Sequence, residues 1–286
     1  MASEADKYPE SSSRRRFVKG VVGSASLLGL GVGAGSMVNL LTSPTGTGGG
    51  ETSFYGIKNT AGPAPRAMPQ IPIEIDAEGY LKGVYPTVET VERQGRSVKV
   101  AKMELGGVTY SVSWFQYCGV QGYEGIDPEY EGDNYFRYAS SSTYQWQNEE
   151  VTGGTRVHID DFANYETWGN GIGRPGVGKP AMCSWRSQNT ENDIPVQVLR
   201  STLVEEMVNE ASGEVANWAK ASTQEGFIAW LDKCTHFCCV PGFKSTEQSA
   251  QFDAANKVYC PCHQSVYDPF NIIKQSFIAY PRPSEE

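Results

Sequence analysis

Positive charge is in short supply in this 286-residue chain: 24 Lys and Arg stand against 33 Asp and Glu, a formal net charge of −9. A surface of that sign repels polyanions and argues against nucleic acid as a partner; it suits a basic partner or a high-salt milieu without requiring either. Cysteine is absent before Cys118, so no lipobox cysteine follows the basic run near the N-terminus, and no clear A-x-A cleavage site follows it. The spaced glycines of Gly171-Ile172-Gly173-Arg174-Pro175-Gly176-Val177-Gly178 lack a strand-to-helix setting and a Lys-Ser/Thr at Walker spacing, which argues against a phosphate loop. Histidine occurs only three times.

What cysteine and histidine there is lies close together. Cys234-Thr235-His236-Phe237-Cys238-Cys239 and Cys260-Pro261-Cys262-His263-Gln264-Ser265 hold five of the seven cysteines and two of the three histidines. A Cys-x-His run followed at a distance by Cys-x-x-His offers two thiolates and two imidazoles from two loops, which is a metal-ligand pattern. Two chemistries accept that set. One is a tetrahedral structural zinc; the other is a two-iron, two-sulfur cluster with two cysteines on one iron and two histidines on the other. Zinc pairs usually space the ligands of each half by two to five residues, whereas Cys234 and His236 have one residue between them. Cys239 and Cys262 are surplus to a zinc tetrad, and the surplus favours the cluster.

The two runs resemble the cluster-binding loops of Rieske iron–sulfur proteins of the cytochrome bc type, whose pattern is C-T-H-x-G-C and C-P-C-H-x-S. The resemblance implies one [2Fe–2S] cluster per chain, with Cys234 and Cys260 on the inner iron, His236 and His263 on the outer one, and a disulfide between Cys239 and Cys262. It further implies that Ser265 and Tyr267 donate hydrogen bonds to sulfur, which favours the reduced cluster and sets the potential toward the upper part of roughly −150 to +300 mV. Cys238 departs from the pattern, which has Gly there, and leaves Cys238 and Cys239 both open as the partner of Cys262. Among the remaining cysteines, Cys118 with Cys183 is the candidate second bridge, which leaves Cys238 a free thiol in a small apolar position. His158, in the strand-like Arg156-Val157-His158-Ile159, reads as exposed or hydrogen-bonded rather than as a ligand.

At the other end, Ser13-Arg14-Arg15-Arg16-Phe17-Val18-Lys19 reads as a twin-arginine export signal, the route for proteins already folded around a cofactor. Residues 20–41 carry no charge. At 1.5 Å per residue they would span roughly 33 Å, enough for the hydrocarbon core, and they are read as a retained transmembrane anchor with residues 1–19 inside. Residues 42–50 are too small and polar to bury anything and read as a flexible tether, which in the resembling family is a hinge.

The roughly 235 residues beyond the tether suffice for one large core or two small ones. Ile71-Pro72-Ile73-Glu74-Ile75, Ser97 to Met103 and Val108 to Trp114 alternate apolar and polar positions, as half-buried strands do. Ile194 to Leu199 reads as another strand, followed by a capping-box helix from Thr202-Leu203-Val204-Glu205 that stops near Gly213. Phe227 to Leu231 reads as the strand feeding the first loop. The expected fold class is mainly β: a Rieske-type antiparallel head behind one transmembrane helix. In it a basal domain, 51–233, carries a long insertion at about 119–195, and the cluster-binding subdomain and C-terminal segment occupy 234–286. Pro281-Arg282-Pro283 resembles the proline-bearing loop that covers the cluster's other side, and the chain ends so soon after it that the final strand is expected to be shortened or replaced.

The function this implies is that of the Rieske subunit of a membrane quinol-oxidising complex. It takes an electron from quinol, with a proton on His236 or His263 as the catalytic residues, and passes the electron to a cytochrome c or a small blue copper protein. Its expected partners are a cytochrome b-type membrane subunit, membrane lipid and a dimeric complex, with the head on the extracytoplasmic side. The alternatives are the small Rieske subunit of an exported molybdenum oxidase of the arsenite oxidase type, and a zinc-stabilised binding module without enzymatic function.

Overall fold

Strand-forming segments dominate the chain, and a computed structural model describes residues 50–93 and 95–279. The twin-arginine run, the anchor of 20–41, the tether apart from Gly50 and Pro281-Arg282-Pro283 lie outside the described residues. The architecture is mainly β, with 38% strand against 20% helix, around a curled antiparallel sheet. Among the described residues, no helix is long and apolar enough to cross a membrane.

The strands run β1 (Gly50–Ala61), β2 (Met68–Ile71), β3 (Ile73–Ile75), β4 (Leu81–Gly83), β5 (Val88–Arg93), β6 (Arg96–Leu105) and β7 (Val108–Ser111). After these come β8 (Phe136–Tyr138), β9 (Lys179–Trp185), β10 (Ile194–Arg200), β11 (Phe227–Leu231), β12 (Gly242–Phe243), β13 (Val258–Cys260) and β14 (Ser265–Ala279). Nine of them form one sheet in the order β12-β13-β14-β1-β2-β11-β10-β9-β8, while β3-β4 and β5-β6-β7 stand as two smaller sheets. The helices α1 (Gln145–Glu150), α2 (Thr202–Glu210) and α3 (Gly213–Ser222) are short. The sheet curls because its edge folds back on its middle. Phe243 of β12 donates its N–H to Gln197 Oε1 on β10 (2.8 Å) and accepts from the Tyr144 hydroxyl (2.6 Å).

β11 is buried at every position, as a continuous apolar strand covered on both faces should be. Trp185, Trp218 and Trp230 are the largest side chains in the core around it. The expected single strand from Ile71 to Ile75 is broken at Pro72, which has no N–H to give to a ladder, so β2 pairs with β1 and β11 while β3 pairs with β4. The second half of the expected strand Val108 to Trp114 is instead a 3-10 turn, Val112–Phe115, capped by Ser111, whose Oγ accepts from Ser113 N–H. α2 is capped one residue earlier than expected, by buried Ser201, whose Oγ accepts from Leu203 N–H at 3.1 Å. α2 ends at Glu210, close to the expected stop near Gly213, and Gly213 itself opens a second helix, α3.

β14 runs for 15 residues and pairs with β1 over most of its length; the shortened or replaced strand expected after Pro281-Arg282-Pro283 lies outside the described residues. One larger correction bears on the loops. The stretch 119–195 is not irregular throughout, since it supplies β8 and β9 to the large sheet. Its glycine-rich segment packs on the region after the first loop. A Cβ at Gly173 would collide with the Ala255 carbonyl, Arg174 N–H donates to Asn256 Oδ1 (2.8 Å), and buried Lys244 donates from Nζ to the Arg174 carbonyl (2.6 Å).

Register explains why the loops meet. β1 and β11 both run antiparallel to β2, and β14 runs antiparallel to β1. The C-terminal ends of β1 and β11 and the N-terminal ends of β2 and β14 therefore lie at one end of the sheet. That end carries the segment after β11, the turn before β14 and the β1–β2 connection.

Candidate metal centre

Residues 261–264 form the turn of the β13–β14 hairpin, closed by Gln264 N–H on the Cys260 carbonyl (2.9 Å) and by pairing of Cys260 with Ser265. Gln264 has φ +61°, and Cys262 and His263 stand exposed on the turn. The first loop leaves β11 as a second closed turn. Cys234 N–H donates to the Cys239 carbonyl (2.8 Å) and Cys238 N–H to the Cys234 carbonyl (3.0 Å), with Cys238 at φ +65°.

Cys234 and Cys260 are both buried, one from each loop, and are close enough for their thiols to share a proton. The Cys260 hydrogen bond, helped by Tyr267, pulls the Cys234 thiol well below its usual range, and the same contact together with burial pushes Cys260 up. Tyr267 adds to the bias toward a thiolate at Cys234. Its oxygen accepts from Thr235 N–H (3.1 Å), while Thr235 Oγ1 lies 2.7 Å from the Arg66 carbonyl, the acceptor for its proton. The tyrosine proton then has Cys234 Sγ at 3.3 Å and Thr235 Oγ1 at 3.2 Å as its acceptors. Asp232, two residues before Cys234, is a buried acid whose pKa burial raises well above the carboxylate range, with Trp230 Nε1 3.3 Å from its Oδ1.

The imidazoles lie toward the surface. His236 and His263 meet edge to face with centroids 4.7 Å apart, and Phe237, 65% exposed, packs against both at 4.3 and 5.1 Å. His236 Nδ1 is buried and has no hydrogen-bond partner, nor has the buried Ser265 hydroxyl. Ser265 nonetheless stands near enough to Cys234 to favour its thiolate. Orphaned polar atoms of this kind call for a missing partner. Two adjacent thiols, two adjacent imidazoles, an unpartnered ring nitrogen and an unpartnered hydroxyl beside sulfur fit a two-Cys, two-His metal group.

The Cys239–Cys262 disulfide expected from the resemblance is present, and it links the two loops. The sulfurs of Cys239, Cys260 and Cys262 lie within 4.8 Å of one another, a grouping that can hold a metal ion when all three are thiols. Once Cys239 and Cys262 are bonded to each other, Cys260 alone of the three has a thiolate to offer, and its neighbour is Cys234.

The remaining cysteines overturn the expected second bridge. Cys118 pairs with Cys238, not with Cys183. Cys183 is instead a buried thiol on β9, opposite Val196 and Tyr138, and burial raises its pKa. Cys238 is therefore not a free thiol. His158 is hydrogen-bonded: its Nδ1 accepts from Asp160 N–H (3.2 Å), which leaves Nε2 to donate to the Glu78 carbonyl (2.8 Å).

Sequence reading missed the segment that covers the loops from a third direction. Residues 62–66, Gly62-Pro63-Ala64-Pro65-Arg66, form a proline-bearing loop that the structure brings to both cysteine–histidine loops. Gly62 has φ +80° and lies so close to the second loop that a Cβ there would meet the Gln264 carbonyl and come within 2.6 Å of Ser265 Cα. The Arg66 carbonyl receives Thr235 of the first loop. A Gly-Pro-x-Pro run is a readable turn signal. What it covers is set by the pairing of Ala61 with Val266, which delivers Gly62 to the start of β14. No protein-family model, no curated protein and no solved structure matches this chain, so the chemistry of these loops is read from their own residues.

Proposed function

We propose that the chain is an exported, membrane-held iron–sulfur electron carrier of the Rieske type, the electron-accepting subunit of a quinol-oxidising complex. The observation that carries the proposal is the convergence of two buried thiols, Cys234 and Cys260, with two neighbouring imidazoles, His236 and His263, under an exposed aromatic ring. In this reading Cys234 and Cys260 hold one iron of a [2Fe–2S] group and His236 and His263 the other. The group, when bound, supplies a one-electron acceptor.

The chain's own residues do the rest. Tyr267 and Ser265 aim hydroxyls at sulfur and favour the added negative charge. The Cys239–Cys262 bond and residues 62–66 hold the two loops in register and keep water from the thiols. Each imidazole bound through one nitrogen keeps the other for a proton, and exposed His263 is placed to take it from a quinol hydroxyl. Phe237 and Val240, 65% and 45% exposed, form an apolar rim suited to a quinol ring or an apolar groove on a cytochrome b-type subunit. The N-terminal anchor and tether complete the proposal, with a cytochrome c or small copper protein as electron acceptor.

The test is electron paramagnetic resonance of the reduced, iron-loaded full chain. An average g near 1.9 is expected, and it should vanish when His263 is replaced by Cys. A protein that purifies with zinc and gives no signal after reconstitution with iron and sulfide would overturn the proposal in favour of a structural zinc site.

A further inference from the structure

The first metal loop has a second attachment that does not involve the other loop. Cys238 and Cys239 are consecutive, yet their disulfides diverge: Cys239 goes to Cys262 on the second loop, and Cys238 goes to Cys118, 120 residues away. Around Cys118 the same short segment touches the same turn three more times. The Tyr117 hydroxyl donates to the Lys233 carbonyl (3.2 Å), and Lys233 Nζ donates to the Tyr123 hydroxyl (2.6 Å) while lying 4.9 Å from that ring's centroid. The Cys118 sulfur also packs 3.7 Å from the Cys234 carbonyl; as a disulfide sulfur it has no proton to donate. Both ends of the cross-link sit in the left-handed region, Cys118 at φ +56° and Cys238 at φ +65°. L-residues other than Gly avoid that region unless the surroundings hold them there.

Glycine at 238 would adopt this turn without strain and would leave it untethered. Cysteine accepts the strain and binds the turn covalently to the body of the protein.

We propose that residues 117–123 are a covalent strap that positions the turn carrying Cys234 and His236, independently of the second loop. This rests on the metal reading above for its purpose but on different atoms for its existence. Its consequence is that the first turn keeps its shape when the Cys239–Cys262 bond is lost. The turn opens when the Cys118–Cys238 bond is lost, even with the loop-to-loop disulfide intact.

The experiment has one arm without metal and one with it. In the metal-free full chain, hydrogen–deuterium exchange of the residue 234 and 238 amides, which close the turn, is compared among wild type, C118S/C238S and C239S/C262S. Serine keeps the size and backbone preferences of cysteine, so the comparison isolates the cross-link. At least tenfold faster exchange is expected in C118S/C238S and less than threefold change in C239S/C262S. Equal rates in wild type and C118S/C238S, or peptide mapping that finds Cys118 as a free thiol, would overturn the strap. Should C118S/C238S fail to fold, Tyr117→Phe removes one anchor and keeps the bond; severalfold faster exchange supports the strap, and no change sinks it.

In the second arm the chains are reconstituted with ferrous iron and sulfide. C118S/C238S should show shifted or broadened g values and lose iron to a chelator at least tenfold faster than wild type. Faster exchange with unchanged g values and unchanged iron loss would reduce the segment to structural support and overturn its positioning role. A wild type that takes up no cluster would overturn the function proposed above, while the exchange result would still decide whether the strap exists.

Discussion

Replacing Tyr267 by Phe removes one oxygen that serves two partners, and the two losses can be measured separately. In the metal-free chain the hydroxyl is the acceptor for the buried Thr235 N–H at 3.1 Å. Deleting it leaves that N–H without a partner in a region where Thr235 is 8% exposed. An orphaned buried donor costs about 1–3 kcal/mol. For a body of roughly 230 residues, an unfolding entropy of about 2.1 cal/mol/K per residue makes 1 kcal/mol worth about 2 °C, so the melting temperature should fall by about 2–6 °C. In the iron-loaded chain the same hydroxyl donates toward Cys234 Sγ at 3.3 Å. A hydrogen bond strengthens by about 1 kcal/mol as its acceptor gains charge, and for one electron about 1.4 kcal/mol corresponds to 59 mV. The midpoint potential should therefore drop by roughly 40 mV. Tyr259→Phe is the control, because the buried Tyr259 hydroxyl has no partner to lose, so neither quantity should fall. Calorimetry of the metal-free chains and a redox titration of the loaded ones give the two readouts. An unchanged melting temperature in Tyr267→Phe would refute the bond to Thr235. A lower melting temperature with an unchanged potential would refute the role toward sulfur.

Three further outcomes follow from particular contacts. Ser265→Ala should lower the loaded chain's midpoint potential in a redox titration, because the hydroxyl beside Cys234 that favours added negative charge is gone, and an unchanged potential would sink that role. Gly62→Ala puts a Cβ into the Gln264 carbonyl at φ +80°, and a strained residue of this kind costs about 1–3 kcal/mol; a thermal melt equal to wild type would show that residues 62–66 do not press on the second loop. The two disulfides close loops of sequence separation 120 and 23, for which chain entropy gives about 4.9 and about 3.4 kcal/mol, so C118S/C238S should melt below C239S/C262S. The reverse order in parallel melts would show that cross-linking of the unfolded chain is not what these bonds contribute.

The four candidate ligands were legible in the sequence because each motif is a short run whose spacing survives any fold, whereas the resemblance implied Cys239 with Cys262 but left Cys238 open as the partner until the structure paired Cys239. β6, β10 and β11 were legible as well, since alternation or a continuous apolar run is itself the local signal of a strand. Pro72 shows how that signal misleads: the apolar alternation continues across it, but the missing N–H splits the ladder into β2 and β3. Cys118 shows a different limit. From the chain alone its nearest unassigned cysteine was Cys183, but Cys183 lies on β9 with its thiol in the core, where no partner sulfur can reach it. Cys238 was misread for a related reason, because a residue in a glycine position looks like a tolerated substitution until its partner is seen.

The sequence by itself determined that Cys234, His236, Cys260 and His263, with the hydroxyls of Ser265 and Tyr267, fall in two short runs as candidate donors, and it determined the β character of the body, all of which are local. Only the tertiary structure decided which separate segments close around those donors. Residues 62–66 reach them because β1 ends beside the start of β14, and residues 117–123 reach them through a bond across 120 residues. Strand register and disulfide partners are long-range choices made by the whole sheet, and no spacing within a motif encodes them.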